Sequence, residues 1–494
     1  MKRLFTFLSF LFIVSLISAQ NKPDNYCGYT GKSEWLVQYQ KNRGSNPIVS
    51  NRSGAITWLP LQIHVVGDDN GNGYFPPRSI LDALCTLNSD FEDSDIQFYL
   101  KDDFNYLNNT DWFVHDFGSG RDMMRQNNVD NAVNAYIVDD PAGNCGYYSP
   151  GPDALAIAKN CSGKDDHTFS HEVGHYLSLP HPFVGWEGET PERGMNAPAF
   201  INGREVEKVD RSNCYQAGDG FCDTDADYIS DRWTCNSDSR SSQIYLDPNG
   251  EEVSADGTLY MSYANDACSN RFSGEQMDAM HANIDDERRD LLLNPSPLPA
   301  VDPNATITLN TPDPSVVGTD EALLDWEPVP NATYYLVQVA LVANMTLVVD
   351  QGIVKGTSFL ASNLMDGRPH YWRIRPFNEF NFCGDYSQVA SFTAMSDVTS
   401  VNDLKELADF KLAPQPVGSN EQLTISFLSS HAQHYNLRLL DLNGKTVQTD
   451  QLDAFQGQVQ HQMNINNAHP GLYFLEISNE AGERMVRKVM ISGF

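Results

Sequence analysis

The stretch HEVGHYLSLPH, His171 to His181, sets three histidines and one glutamate within eleven residues. On a helix that repeats every 3.6 residues, His171 and His175 leave the same face one turn apart, close enough for both imidazoles to bind one cation. Glu172 is rotated by about a hundred degrees from His171, away from the metal itself but within reach of a water held there, which is the place for a general base. His181 lies too far round and too far along for the same helix to deliver it. The chain must turn back first, and SLPH allows this, because Ser178 can end the helix and Pro180 disfavours helical geometry at Leu179. Three neutral histidines leave the fourth corner of a zinc tetrahedron open to water, as in catalytic rather than structural sites. Glu172 would take a proton from that water, whose pKa zinc lowers to roughly 7, during attack on a peptide carbonyl. With 12 histidines in 494 residues, the whole pattern arises by chance in roughly one chain in a few thousand. It predicts peptide hydrolysis.

Outward from this stretch, a chain of 494 residues is long enough for about three domains. The opening MKRLFTFLSFLFIVSLISAQ places Lys2 and Arg3 before an apolar run from Leu4 to Ile17, then Ser18 and Ala19, the layout of a signal peptide over residues 1–19. The alternative, an uncleaved anchor, would have a run short for a bilayer. An exported protein is expected. Its 65 acidic against 33 basic residues argue against nucleic acid or an anionic membrane surface as partner, while acidic loops suit calcium. Nine cysteines in an exported chain point to disulfides, and the odd count leaves a thiol over.

Residues 20–52 are polar, carry Cys27 and have little with which to build a core, as expected of a propeptide. From residue 53 to 294, strand-like runs (ITWLPLQIHVV, IQFYL, NAYIVD) alternate with helical patterns such as SILDALCTLNSDFE, predicting an α/β or α+β domain around the histidines. NPSPLPAVDPN, Asn294 to Asn304, reads as an extended linker. Residues 304–396 and 410–494 hold short alternating strands separated by turn residues, the spacing of two all-β sandwiches.

SHEVGHYLSLPHPF resembles the metzincin signature H-E-x-x-H-x-x-G-x-x-H, most closely that of the pappalysin family, with Ser178 in place of the family glycine. Glycine takes positive φ freely and serine is mildly strained there. The resemblance, which spans Cys27 to Leu293, implies that His171, His175 and His181 bind zinc and that Glu172 is the base. LYMSYANDACSNRF resembles the methionine turn, implying Met261 beneath the histidines and Tyr263 as the tyrosine that steadies the reaction intermediate. NCYQAGDGFCDTDADY resembles the family segment with a disulfide and a calcium loop, implying Asp219, Asp223, Thr224 and Asp227 as oxygen donors. Cys214, Cys222, Cys235 and Cys268 are expected to form two disulfides. The sequence leaves three connectivities open, and family spacing favours Cys214 with Cys235 and Cys222 with Cys268. NYCGYTG resembles the pappalysin propeptide, implying that the Cys27 thiolate takes zinc's open position; an ordinary disulfide is the other reading of Cys27. Arg52 before Ser53 is the candidate activation cleavage site.

LLDWEPVPNATYYLVQVAL and YWRIRPFNEF resemble a fibronectin type III domain, with Trp326 as core tryptophan and Tyr371 and Trp372 on a later strand. The final segment, with Asn443, Gly444, Lys445, Pro470, Gly471 and Tyr473, resembles the sorting domain of type IX secretion substrates. Zinc, calcium, protein or peptide substrates and the type IX secretion machinery are the implied partners. The expectation is a multidomain secreted zinc endopeptidase. The rival reading, motivated by Ser178, is an adhesion or glycan-binding protein with an inactive peptidase domain; another metal-dependent amidase would share the site but not the substrate.

Overall fold

The computed structural model describes residues 25–43, 54–303, 305–310, 312, 316–317, 321–395, 404, 407–419, 421–442, 444–466, 468–479 and 484–492. The expected signal peptide, the Arg52–Ser53 bond and Asn443 lie outside the described residues. The chain divides into two compact units, the first of residues up to 315 with 321–364 and 369–392, the second of 316–320, 365–368 and 393–494.

A seven-stranded sheet organises the first unit. Its strands are β1 (Asn25–Cys27), β2 (Thr57–Gly67), β3 (Ile96–Leu100), β4 (Asn105–Asn108), β5 (Val133–Val138), β6 (Asn144–Ser149) and β7 (Ala154–Ala158). They lie in the order β1, β6, β7, β5, β2, β3, with β4 also on β2. The apolar runs of β5 and β7 are buried along their whole length, as in parallel strands covered on both faces. β6 alone runs antiparallel to its neighbour β7. On the outer side of β6, the segment ahead of the domain adds β1 in parallel, pairing Asn25 with Asn144 and Cys27 with Gly146.

Four helices matter to the site: α1 (Glu34–Arg43), α2 (Pro77–Asp90), α3 (Thr168–Tyr176) and α4 (Gly274–Glu287). α2 starts with Pro77, whose missing N–H costs nothing there, and buries Ile80, Leu81, Leu84 and Leu87, one face at helical spacing. α4 opens with a capping box between Ser273 and Gln276. One core joins Leu84, Phe169, Val173, Met280 and Ile284 from α2, α3 and α4. Among the described residues, strands in several sheets outweigh a few helices.

Within the same unit, Trp326 and Trp372 are both buried, their rings 6.3 Å apart. This strand-rich segment is fastened to α2 by a Cys85–Cys383 disulfide and by Arg375 to Asp82 at 3.1 Å. The second unit is a β-sandwich whose sheets share a core of Leu423, Ile425, Phe427, Leu437, Leu475 and Val489. Gly444 takes φ 75° at the tip of a hairpin closed by Asp441 and Lys445, the backbone that only glycine adopts without strain.

The Cys85–Cys383 bridge spans 298 residues of sequence, so it removes much freedom from the unfolded chain. Replacing both cysteines by alanine should cost about 2–5 kcal/mol, read as a lower urea midpoint under non-reducing conditions.

Candidate metal centre

Every residue of α3 is buried. Asp166 opens the helix, its carboxylate accepting from the Thr168 backbone and hydroxyl at 3.2 and 2.7 Å. The helix ends at Leu177, and Ser178 follows with φ 72°. The Ser178 amide donates to the His175 carbonyl and the Leu179 amide to the Gly174 carbonyl, each at 2.9 Å. These two bonds are a Schellman motif with serine where glycine is usual. The Ser178 hydroxyl accepts from Asn283 of α4 at 3.0 Å, which holds the turn from outside.

This turn brings His181 back. The Nε2 atoms of His171, His175 and His181 lie 3.0 to 3.2 Å from one another. His171 Nδ1 meets the Tyr260 carbonyl at 2.8 Å and His175 Nδ1 the Leu179 carbonyl at 2.8 Å. A carbonyl only accepts, so both Nδ1 atoms carry the proton and both Nε2 atoms turn lone pairs inward. Lone pairs this close repel unless a cation lies among them, and ligands 2.0–2.1 Å from a tetrahedral zinc stand about 3.3 Å apart. Burial pulls His171 down to about 4 and holds His175 and His181 well below the usual imidazole range, so all three rings are neutral donors. The donor set fits zinc.

Glu172 is fully buried beside them, its carboxylate facing the Cys27 thiol and the Tyr148 backbone without a well-formed hydrogen bond to either. Burial pushes its carboxyl up to about 8, offset in part by the nearby Cys27 thiol and the Tyr148 backbone. Gly146 of β6 makes room for it, since a β-carbon there would stand 2.8 Å from Glu172 Cγ and Oε1. Met261 packs directly under α3, where a β-carbon at Gly174 would overlap its sulfur. The Tyr263 hydroxyl donates to the Cys27 carbonyl at 3.2 Å. Cys27 is buried and free, and its sulfur with one nitrogen from each of the three histidines forms a set in which every pair lies within 4.8 Å.

Of the expected calcium donors, Asp219 and Thr224 are hydrogen-bonded to each other and Asp227 feels the charge of Asp219, while Asp223 turns away. Asp219 Oδ1 accepts from the Phe221 amide and the Thr224 hydroxyl, and Asp227 Oδ1 from the Ile229 amide; the second oxygen of each is buried without a partner. Burial lifts both carboxyls to about 7. Asp223 instead turns to α4, accepting from the Ser273 hydroxyl and the Glu275 amide at 2.8 Å each. Glu207, which sequence spacing did not suggest, is buried with both oxygens unpartnered, and the charge of Asp219 adds to burial in raising its carboxyl above the usual range. It comes from a different loop, so no local pattern announced it.

The disulfide pairing corrects the family-based expectation. Cys214 joins Cys222 and Cys235 joins Cys268. The chain from Asn213 folds tightly on itself, with the Ala217 amide on the Asn213 carbonyl, bringing Cys214 and Cys222 Cα atoms to 5.1 Å. Trp233 bridges to Ala264 and its carbonyl accepts from Asn265, which carries Cys235 alongside Cys268. Cys145–Cys161 is a further bridge.

Comparison with known proteins adds the following. Residues 411–492 match the family described as the secretion system C-terminal sorting domain. An extracellular metalloprotease of Colletotrichum graminicola is 25% identical over 252 residues, 47% of this chain and 77% of its own length. One of Sordaria macrospora is 25% identical over 285 residues, 52% of this chain and 87% of its own. Domains FN1–FN3 of chicken CNTN1 align at a TM-score of 0.17 and 13% identity over 38% of this chain and 68% of theirs, too loosely to compare folds. Extracellular metalloproteases are thus distant homologues, and a type IX sorting tail is present. The protein is secreted across the outer membrane to the cell surface or beyond.

Ser178→Gly should shift stability by less than about 1 kcal/mol, because relief of left-handed strain offsets the lost Asn283 bond and the freer unfolded chain. Ser178→Val, a β-branched residue in the left-handed region, should cost more than about 2 kcal/mol and release bound metal; denaturation midpoints and metal analysis read both.

Proposed function

We propose that the protein is a secreted zinc endopeptidase of the pappalysin type among metzincins, made as a latent precursor. The observation that carries this reading is the convergence of the three imidazole Nε2 atoms beside a fully buried glutamate. His171, His175 and His181 would hold zinc, which when bound supplies a Lewis acid that polarises a carbonyl and acidifies water. Glu172 accepts the water's proton on its carboxylate and passes it to the leaving amine nitrogen. Tyr263 donates its hydroxyl hydrogen bond to the substrate oxygen on which negative charge develops, a role now filled toward the Cys27 carbonyl. Met261 supports the histidines from below.

Residues 20–52 act as the prosegment and 53–294 as the catalytic domain. The other eight cysteines are paired, which leaves the Cys27 thiolate as a soft fourth donor that keeps water out. Asp219, Thr224 and Asp227, with Glu207 rather than Asp223, are the proposed calcium ligands, a hard oxygen set. Residues 304–396 serve as a fibronectin type III-like spacer and 410–494 as the removable sorting domain. The inactive-peptidase reading drew on Ser178, and Ser178 makes the turn.

Glu172→Gln should retain zinc while casein cleavage falls about 10²–10⁴-fold; wild-type protein with full zinc, its prosegment removed and no proteolysis would refute the reading. Cys27→Ser should show proteolysis before any processing, measured as casein cleavage by the unprocessed chain against wild type.

A further inference from the structure

One residue before the Cys27 thiol, the Tyr26 side chain fills a pocket that the remainder of the molecule builds. Tyr26 is 8% exposed. The Arg232 guanidinium lies over its ring at 3.8 Å from the centroid. The rings of His171 and Tyr263 meet it edge-on at 5.1 and 5.2 Å, and the Thr168 side chain hydrogen-bonds its hydroxyl. Arg232 is held in place: one nitrogen donates to the Ala264 carbonyl at 2.7 Å and another to Asp266 at 2.8 Å. The other Asp266 oxygen accepts from the His167 amide. All of these walls belong to the catalytic region, so they remain when the prosegment leaves.

We propose that this pocket is a substrate subsite that selects an aromatic side chain, tyrosine above all, beside the scissile bond. The inference rests on the peptidase reading. The Tyr263 hydroxyl bonds the Cys27 carbonyl, where a carbonyl under attack would be held, and the neighbouring residue's side chain enters the pocket. Its shape and charge both favour a ring. A fixed guanidinium over an aromatic face gains a cation–π contact. The same guanidinium occupies Asp266, so a lysine or arginine finds that carboxylate already paired, while an aspartate or glutamate would compete with Asp266 for Arg232 and meet the negative charge of Asp166 nearby. A phenol keeps its ring under Arg232 and its hydroxyl on Thr168.

The test is a cleavage profile of the full chain, freed of its prosegment, on a peptide library varied on both sides of the cut. Tyrosine and phenylalanine should be enriched at one flanking position. The ratio of kcat/KM for a tyrosine peptide to that for its leucine counterpart should fall roughly tenfold in Arg232→Gln, the size of one desolvated cation–π contact, and recover in part in Arg232→Lys. Proteolysis with no aromatic preference, or with a preference for basic residues, overturns this inference and leaves the peptidase reading standing. A zinc-loaded chain that cuts no library peptide overturns both. Should the Arg232 variants misfold, a synthetic peptide of residues 24–31 is compared with its Tyr26→Ala form as an inhibitor. Weakening of at least tenfold supports the subsite, and equal inhibition refutes it.

Discussion

The left-handed turn at Ser178 is the constraint on which the site depends. α3 projects two imidazoles from one face, but the third ligand needs the chain reversed within a few residues. The reversal is stabilised by the Gly174 carbonyl, which accepts from Leu179, and the Leu179 carbonyl in turn accepts from His175 Nδ1. The bond that closes the turn and the bond that orients a ligand therefore share one residue. Gly174 has a second task, because its missing β-carbon admits Met261 against the helix. Strain at one backbone position is thus offset by contacts that the ligand geometry requires in any case.

A second network fixes the orientation of His171. Asp90, at the end of α2, accepts from His167, Ser170 and the Tyr260 hydroxyl, and the Tyr260 carbonyl accepts from His171. Burial works against a charge on His167, yet the Asp90 hydrogen bond and the surrounding carboxylates outweigh it and raise its pKa. The helix start, the methionine-bearing turn and α2 are in this way locked together through one carboxylate.

The segment before the domain meets this framework at several separate points. β1 extends the sheet, Cys27 joins the histidines, and Tyr26 enters the neighbouring pocket. Farther along, Gln40 of α1 donates to the Asp219 carbonyl at 2.7 Å and packs so close to Gly220 that a β-carbon there would overlap its amide. Lys32, hydrogen-bonded to Gln40, brings a positive charge toward Asp219 and Glu207, two buried carboxylates that otherwise repel one another. A short polar segment with little core of its own is ordered by the surface it covers, which is why its sequence alone shows no fold.

What the sequence made legible was local. The spacing His171, His175, His181 carries the site because helix period and turn chemistry act over a few residues, and the strands Thr57–Gly67 and Val133–Val138 announce themselves as apolar runs. Distant partners were not legible. Cys85 reaches Cys383, Glu207 approaches Asp219, and Arg232 covers Tyr26 only after the chain has folded. Asp223 shows the limit most clearly. Its spacing from Asp219 and Asp227 suits a cation loop, but its carboxylate lies at the N-terminus of α4, where unpaired amides and a serine hydroxyl offer a nearer set of donors. A carboxylate in a loop goes to the donors that tertiary structure brings closest, and a linear pattern of acids cannot rank those donors.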